Sequence, residues 1–145
     1  MTKQYNKLIL VTAPSGSGKT SIVNYLLKKY PQLAFSVSAT TRKSRGNEKE
    51  GVDYYFISEE KFKEKIHHKE FLEWEMVYEG TYYGTLKSEI ERIWSEKKVP
   101  VLDIDVQGAI HVQQQYPVNT ISVFIQPPSL EELRTRLRSL SLIHI

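Results

Sequence analysis

The 145-residue chain contains no cysteine, which excludes disulfides and thiolate metal sites. Histidine is sparse, and His67, His68, His111 and His144 show no ligand spacing, so they read as surface or filler residues. No apolar run approaches membrane-spanning length and the N-terminus lacks a signal-peptide core; the expectation is a cytoplasmic protein without a membrane partner. A strong excess of one charge sign is also lacking, with 20 basic against 17 acidic residues. A net charge of +3 with no continuous basic stripe argues against nucleic acid and suits phosphorylated small molecules. Internal repeats and low-complexity linkers are absent. What is present is 40% hydrophobic residues at a mean hydropathy of −0.42, enough for one globular core or one core carrying a small insert.

The chain is organised around a stretch near its start. Leu8-Ile9-Leu10-Val11 is a short apolar run that breaks into Thr12-Ala13-Pro14-Ser15-Gly16-Ser17-Gly18 and ends on Lys19-Thr20. It reads as a strand buried on both faces of a parallel sheet, then a phosphate-binding loop, then a helix. The spacing Ala13-x4-Gly18-Lys19-Thr20 lets successive backbone N–H groups wrap a triphosphate, while the helix N-terminus adds partial positive charge. Lys19 then reaches the β- and γ-phosphates, and the Thr20 hydroxyl sits on Mg²⁺. Ala13 stands where the pattern usually opens with glycine, and a tight turn with negative φ accepts it.

Two patterns alternate further along. Ile22, Leu26 and Leu27 continue the first helix until Tyr30-Pro31 stops it, and residues 33–38 read as a second strand, giving a βαβ start. Residues 39–47 are polar and basic; Asp53-Tyr54-Tyr55-Phe56-Ile57 then reads as a strand and Ser58 caps a short helix carrying Phe62 and Ile66. Residues 71–78 alternate as a strand with two different faces. Leu86, Ile90, Ile93 and Trp94 fall at helical spacing, residues 99–106 form a buried strand, and residues 120–125 form another. Ser129-Leu130-Glu131-Glu132 supplies a capping box for the next helix. The predicted fold is α/β: a parallel sheet flanked by helices, with a small antiparallel α+β subdomain inserted at about residues 38–86 over the nucleotide site.

Six stretches in collinear order carry a family resemblance: Ala-Pro-Ser-Gly-Ser-Gly-Lys-Thr (13–20), Ser-Val-Ser-Ala-Thr-Thr-Arg-Lys-Ser-Arg (36–45), Gly-Val-Asp-Tyr-Tyr-Phe (51–56), Phe-Leu-Glu-Trp (71–74), Tyr-Tyr-Gly-Thr (82–85) and Leu-Asp-Ile-Asp-Val-Gln-Gly (102–108). From residue 8 to about 139 the chain resembles guanylate kinase. The resemblance implies a P-loop kinase that moves the γ-phosphoryl group of ATP to GMP, with Mg²⁺ accompanying ATP bound by residues 13–20. It also implies a single domain, with a core at 1–37 and 87–128, a GMP-binding insert at 38–86 and the start of a lid at 129–145.

The residues make chemical sense of that implication. Arg42 and Arg45, with hydroxyls from Ser38, Tyr54, Tyr83 and Thr85, offer guanidinium and O–H donors to a monophosphate, although an arginine pair can equally be surface charge. Guanine presents donors at N1 and its amino group, so its site needs ionised carboxylates, and Glu73 and Asp105 match the family positions. The other reading of Glu73 is a solvent-facing strand residue, since Glu75 shares its face. Asp103, ending a buried strand, is assigned to the metal with Thr20. Lys19, Arg42, Arg45 and Arg136 form the expected catalytic set.

Leu140-Ser141-Leu142-Ile143-His144-Ile145 departs from the arginine-bearing acidic lid that the resemblance implies. The expectation is therefore that the lid and last core strand are missing, that GMP binding survives and that transfer is slow. That leaves a nucleotide-binding module with little turnover as the alternative to an active kinase. Another monophosphate as acceptor is the alternative within enzymes.

Overall fold

The computed structural model describes residues 6–13 and 19–125. Strand β1 (Leu8–Thr12) carries Leu8, Leu10 and Val11 fully buried, as a strand covered on both faces must. It leads to α1 (Lys19–Lys29), β2 (Leu33–Phe35) and β3 (Ser38–Thr40). Next come β4 (Tyr54–Phe56), α2 (Glu59–His67), β5 (Phe71–Tyr78) and β6 (Thr81–Leu86). The chain then forms α3 (Lys87–Ser95), β7 (Val99–Asp103), α4 (Val106–Gln115) and β8 (Thr120–Phe124). Among the described residues no helix is long and apolar enough to cross a membrane.

Among the described residues the strands form two four-stranded sheets. The first is parallel with order β2-β7-β1-β8, and Ile9 lies opposite Val101 on one side and Ile121 on the other. Leu8 and Leu10 pack with Ile90 of α3 and with Ala109 and Val112 of α4, whereas Val11 packs with Val23 of α1. The alternation of β1 thus assigns one helical layer to each face.

The second sheet, order β4-β3-β6-β5, is mixed: β3 pairs antiparallel with β6 and β6 with β5, but β4 joins β3 in parallel. One face carries Ala39, Phe71, Tyr82 and Leu86 onto Phe62 of α2, whose ring stacks on Phe71 at 4.3 Å between centroids. Ser58 caps α2 as expected, accepting a hydrogen bond from the Lys61 N–H at 3.1 Å. The opposite face carries Ser38, Tyr54, Glu73, Glu75 and Tyr83 along a cavity, with the buried Thr85 paired to Glu73, and the strand registers set these side by side.

Three expectations change. The strand expected over residues 33–38 is two strands in different sheets. Ser36 N–H still bonds Val101 O, but Val37 N–H turns away to the buried Glu89 Oε2 at 2.9 Å, and there the chain passes between sheets. The strand expected over residues 99–106 ends at Asp103, because the Asp105 side chain accepts the Gly108 N–H at 2.8 Å and starts α4, a helix the apolar run concealed. Leu86 closes β6 and packs on the α2 side instead of joining the α3 stripe.

Candidate functional site

The C-terminal ends of β1 and β7 open toward the bare face of the mixed sheet. This is where parallel sheets present ligand sites, since the strand ends and following loops are free of covering helices. A cavity of about 340 Å³ lies there, bordered by Lys19, Ser38, Tyr54, Glu73, Glu75, Tyr83, Asp103 and Asp105. A second cavity, about 620 Å³, adjoins it and is bordered by Thr20, Glu48, Asp53, Tyr54 and Asp103.

The core supplies charge at the first cavity. Lys19, the first residue of α1, puts its Nζ 2.6 Å from Asp103 Oδ1 at the end of β7, with both side chains partly exposed. Thr20 follows Lys19 and shares the second cavity with Asp103. Ala13 ends the described part of the loop; Pro14, Ser15, Gly16, Ser17, Gly18 and Arg136, with the capping box at residues 129–132, lie outside the described residues.

Carboxylates dominate the far wall. Thr85, fully buried opposite Glu73, donates its hydroxyl to Glu73 Oε2 at 2.7 Å. Burial pushes the Glu73 carboxyl up, the Thr85 hydrogen bond pulls it down and the Asp105 charge raises it again, leaving it above the ordinary range. Asp105 has Oδ1 engaged by the Gly108 N–H. Glu75 is exposed, yet its carboxyl is pushed up to about 7, chiefly by a hydrogen bond with Asp105 and then by burial and the neighbouring charges. A proton held between two carboxyls raises a pKa without deep burial, which reconciles the shift with the exposure. Gly108 lets these groups converge: a Cβ there would stand 2.7 Å from Glu73 Oε1 and 3.2 Å from Asp105 Oδ1.

The basic side of the insert is anchored by Arg42. Its Nε donates to Tyr83 Oη at 2.9 Å, Nη1 and Nη2 donate to Glu48 Oε1 and Oε2 at 2.8 Å each, and Cζ sits 4.9 Å from the centre of the Tyr54 ring. Arg45 is exposed and gives its backbone N–H to Glu48.

The structure therefore gathers Lys19, Ser38, Tyr54, Glu73, Tyr83, Asp103 and Asp105 on one cavity, with Thr85 behind Glu73 and Arg42 behind the two tyrosines. Glu48 escapes the sequence reading, which names Glu75 only as sharing the face of Glu73 and Gly108 only as part of a motif. The period-two alternation of β5 was a usable signal for Glu75, and Gly108 closed a recognised motif; nothing local marks Glu48 as a partner for an arginine six residues earlier.

A family model described as guanylate kinase matches residues 5–142. The guanylate kinase of Bacteroides thetaiotaomicron is 50% identical over 131 residues, covering 90% of this chain and 64% of its own length. That of Thermotoga maritima is 47% identical over 131 residues, covering 90% of this chain and 62% of its own. The crystal structure of guanylate kinase from Anaplasma phagocytophilum superimposes with a TM-score of 0.70 at 35% identity, covering 91% of this chain and 65% of that one. The chain thus spans somewhat less than two thirds of the length of these relatives.

Proposed function

The chain belongs to the guanylate kinase family, and on that footing we propose that the cleft beside Asp103 takes GMP and that the protein transfers the γ-phosphoryl group of ATP to it, giving ADP and GDP. One observation carries this reading. Glu73 and Asp105 border the same cavity, and each has one oxygen already held by the protein, Glu73 by Thr85 and Asp105 by Gly108 N–H. These carboxylates accept hydrogen bonds, Asp105 once the ligand takes the place of the Glu75 carboxyl beside it, which matches the N1–H and amino group of guanine. Adenine would set its unprotonated N1 against a carboxylate, and losses from such unpaired buried groups reach several orders of magnitude.

The acceptor phosphate falls to Ser38, Tyr54, Tyr83, Arg42 and Arg45, a set of hydroxyl and guanidinium donors suited to a dianion. On the donor side the loop at residues 13–20 wraps the ATP phosphates and Lys19 exchanges its contact with Asp103 for the β- and γ-phosphates. Arg136 adds positive charge to the transferring group. The Thr20 hydroxyl and Asp103 carboxylate border one cavity, and this oxygen pair fits Mg²⁺, a hard cation that keeps several waters. Bound there with ATP, Mg²⁺ neutralises charge developing on the transferred phosphoryl. The protein's share is alignment and charge, which supply most of the rate in phosphoryl transfer.

The test is ADP release from ATP with GMP, AMP, CMP or UMP as acceptor. GMP-dependent release that AMP does not support is the expected result. Equal turnover with AMP and GMP sinks the assignment of the acceptor.

A further inference from the structure

The guanidinium of Arg42 has five N–H donors. Nε serves Tyr83, Nη1 serves both Lys43 O at 3.0 Å and Glu48 Oε1, and Nη2 serves Glu48 Oε2, which leaves a single N–H on Nη2 without a partner among the described residues. Its flat face lies over Tyr54. A guanidinium held along one edge by a carboxylate, at Nε by a phenol and on one face by a ring has little freedom to reorient.

Glu48 is itself fastened. Oε1 also accepts Arg45 N–H at 2.8 Å, and Glu48 N–H returns to Arg45 O at 3.0 Å, so the carboxylate closes residues 42–48 into a ring. Its approach is from behind. Glu48 borders the larger cavity beside α1 and not the one that holds Glu73 and Asp105; Tyr83 borders the latter and Tyr54 borders both.

We propose that Glu48 is a positioning residue for the acceptor phosphate: it holds Arg42 against Tyr54 and Tyr83 with its last N–H free for a phosphate oxygen, and it fixes the loop that carries Arg45. This rests on the GMP reading above. A carboxylate beside a phosphate site could instead act as an internal competitor that occupies Arg42 until the phosphate displaces it. Displacement would strand the Arg45 N–H and unlock the turn, so the geometry favours the support role. The Arg42 pair and the Arg45 N–H also hold the Glu48 carboxyl down to about 2, so the clamp stays charged at neutral pH.

Calorimetric titration of the full chain with GMP and with guanosine, which lacks the phosphate, tests this in Glu48→Ala and Glu48→Gln. Glu48→Ala should weaken GMP by about tenfold or more, the scale of a lost hydrogen bond to a charged group, and leave guanosine unchanged. Glu48→Gln keeps one acceptor oxygen and should fall between; it also carries the test if thermal melting shows the alanine variant unfolded. Unchanged or tighter GMP binding in the folded variants overturns the proposal, as does an equal loss for both ligands, which marks a merely structural role. A parent chain that binds neither ligand overturns the GMP reading and this proposal with it.

Discussion

Gly108→Ala should separate binding from stability. A Cβ at this position in α4 would lie 2.7 Å from Glu73 Oε1, closer than real Cβ contacts permit, and a tight 3.2 Å from Asp105 Oδ1 and 3.3 Å from Glu73 Cδ. The obstructing atoms are the far end of a flexible side chain, so the fold yields by turning the Glu73 carboxylate and breaking its 2.7 Å bond with Thr85. Hydrogen bonds to charged groups are worth about 1.5–3 kcal/mol, so GMP affinity should fall roughly 10- to 150-fold. Stability should change much less, because the lost Thr85 bond is offset in part by the about 0.5–1 kcal/mol gained on replacing glycine by alanine inside a helix. Calorimetric titration with GMP and a thermal melt of the same preparation measure both. Parent-like GMP affinity would refute the role given to the Gly108 close approach, and a large drop in melting temperature would show that backbone, not Glu73, absorbs the new methyl.

Further outcomes follow from the same geometry. Lys19→Met should abolish binding of a non-hydrolysable ATP analogue while sparing GMP, since Lys19, though it borders the acceptor cavity, pairs among the described residues with Asp103 of the core and not with the mixed sheet; loss of GMP binding in a folded variant by circular dichroism contradicts that division. Glu89→Gln should cost about 1–3 kcal/mol in urea unfolding, because Glu89 accepts from Val37 N–H, Tyr55 Oη and Arg92 while almost wholly buried; an unchanged midpoint refutes it. Burial pushes the Glu89 carboxyl up, but Arg92, Tyr55 and the Val37 N–H outweigh it and leave it below the ordinary value. A depressed folded pKa stabilises above the unfolded value of about 4.5 and is lost as pH falls through the folded value, so acidification should destabilise the parent more steeply than Glu89→Gln. Parallel pH profiles would refute this.

The first βα unit was legible because a strand buried on both faces leaves a continuous apolar run, and residues 8–11 have one. The break inside residues 33–38 was not, since the group that takes the Val37 N–H is Glu89, 52 residues away. Helix α4 was hidden for a different reason: its cap, Asp105, sits in an otherwise apolar run with Val106 and reads as a strand end until the Gly108 N–H is seen on its side chain. At the site, Glu73 and Asp105 were nameable only through whole motifs, because Glu73 and Glu75 look alike in an alternating strand. What distinguishes them is across the sheet: Thr85 behind Glu73, and a carboxyl-to-carboxyl contact with Asp105 for Glu75. Arg42 was singled out as a phosphate donor without its grip on Glu48, a loop contact with no periodic signature.

The most direct test of the central claim is calorimetric titration of the parent chain with GMP and AMP under one set of conditions. The Glu73 and Asp105 carboxylates predict that GMP binds at least about tenfold more tightly, a gap of about 1.4 kcal/mol. Equal affinities for the two nucleotides would contradict the account.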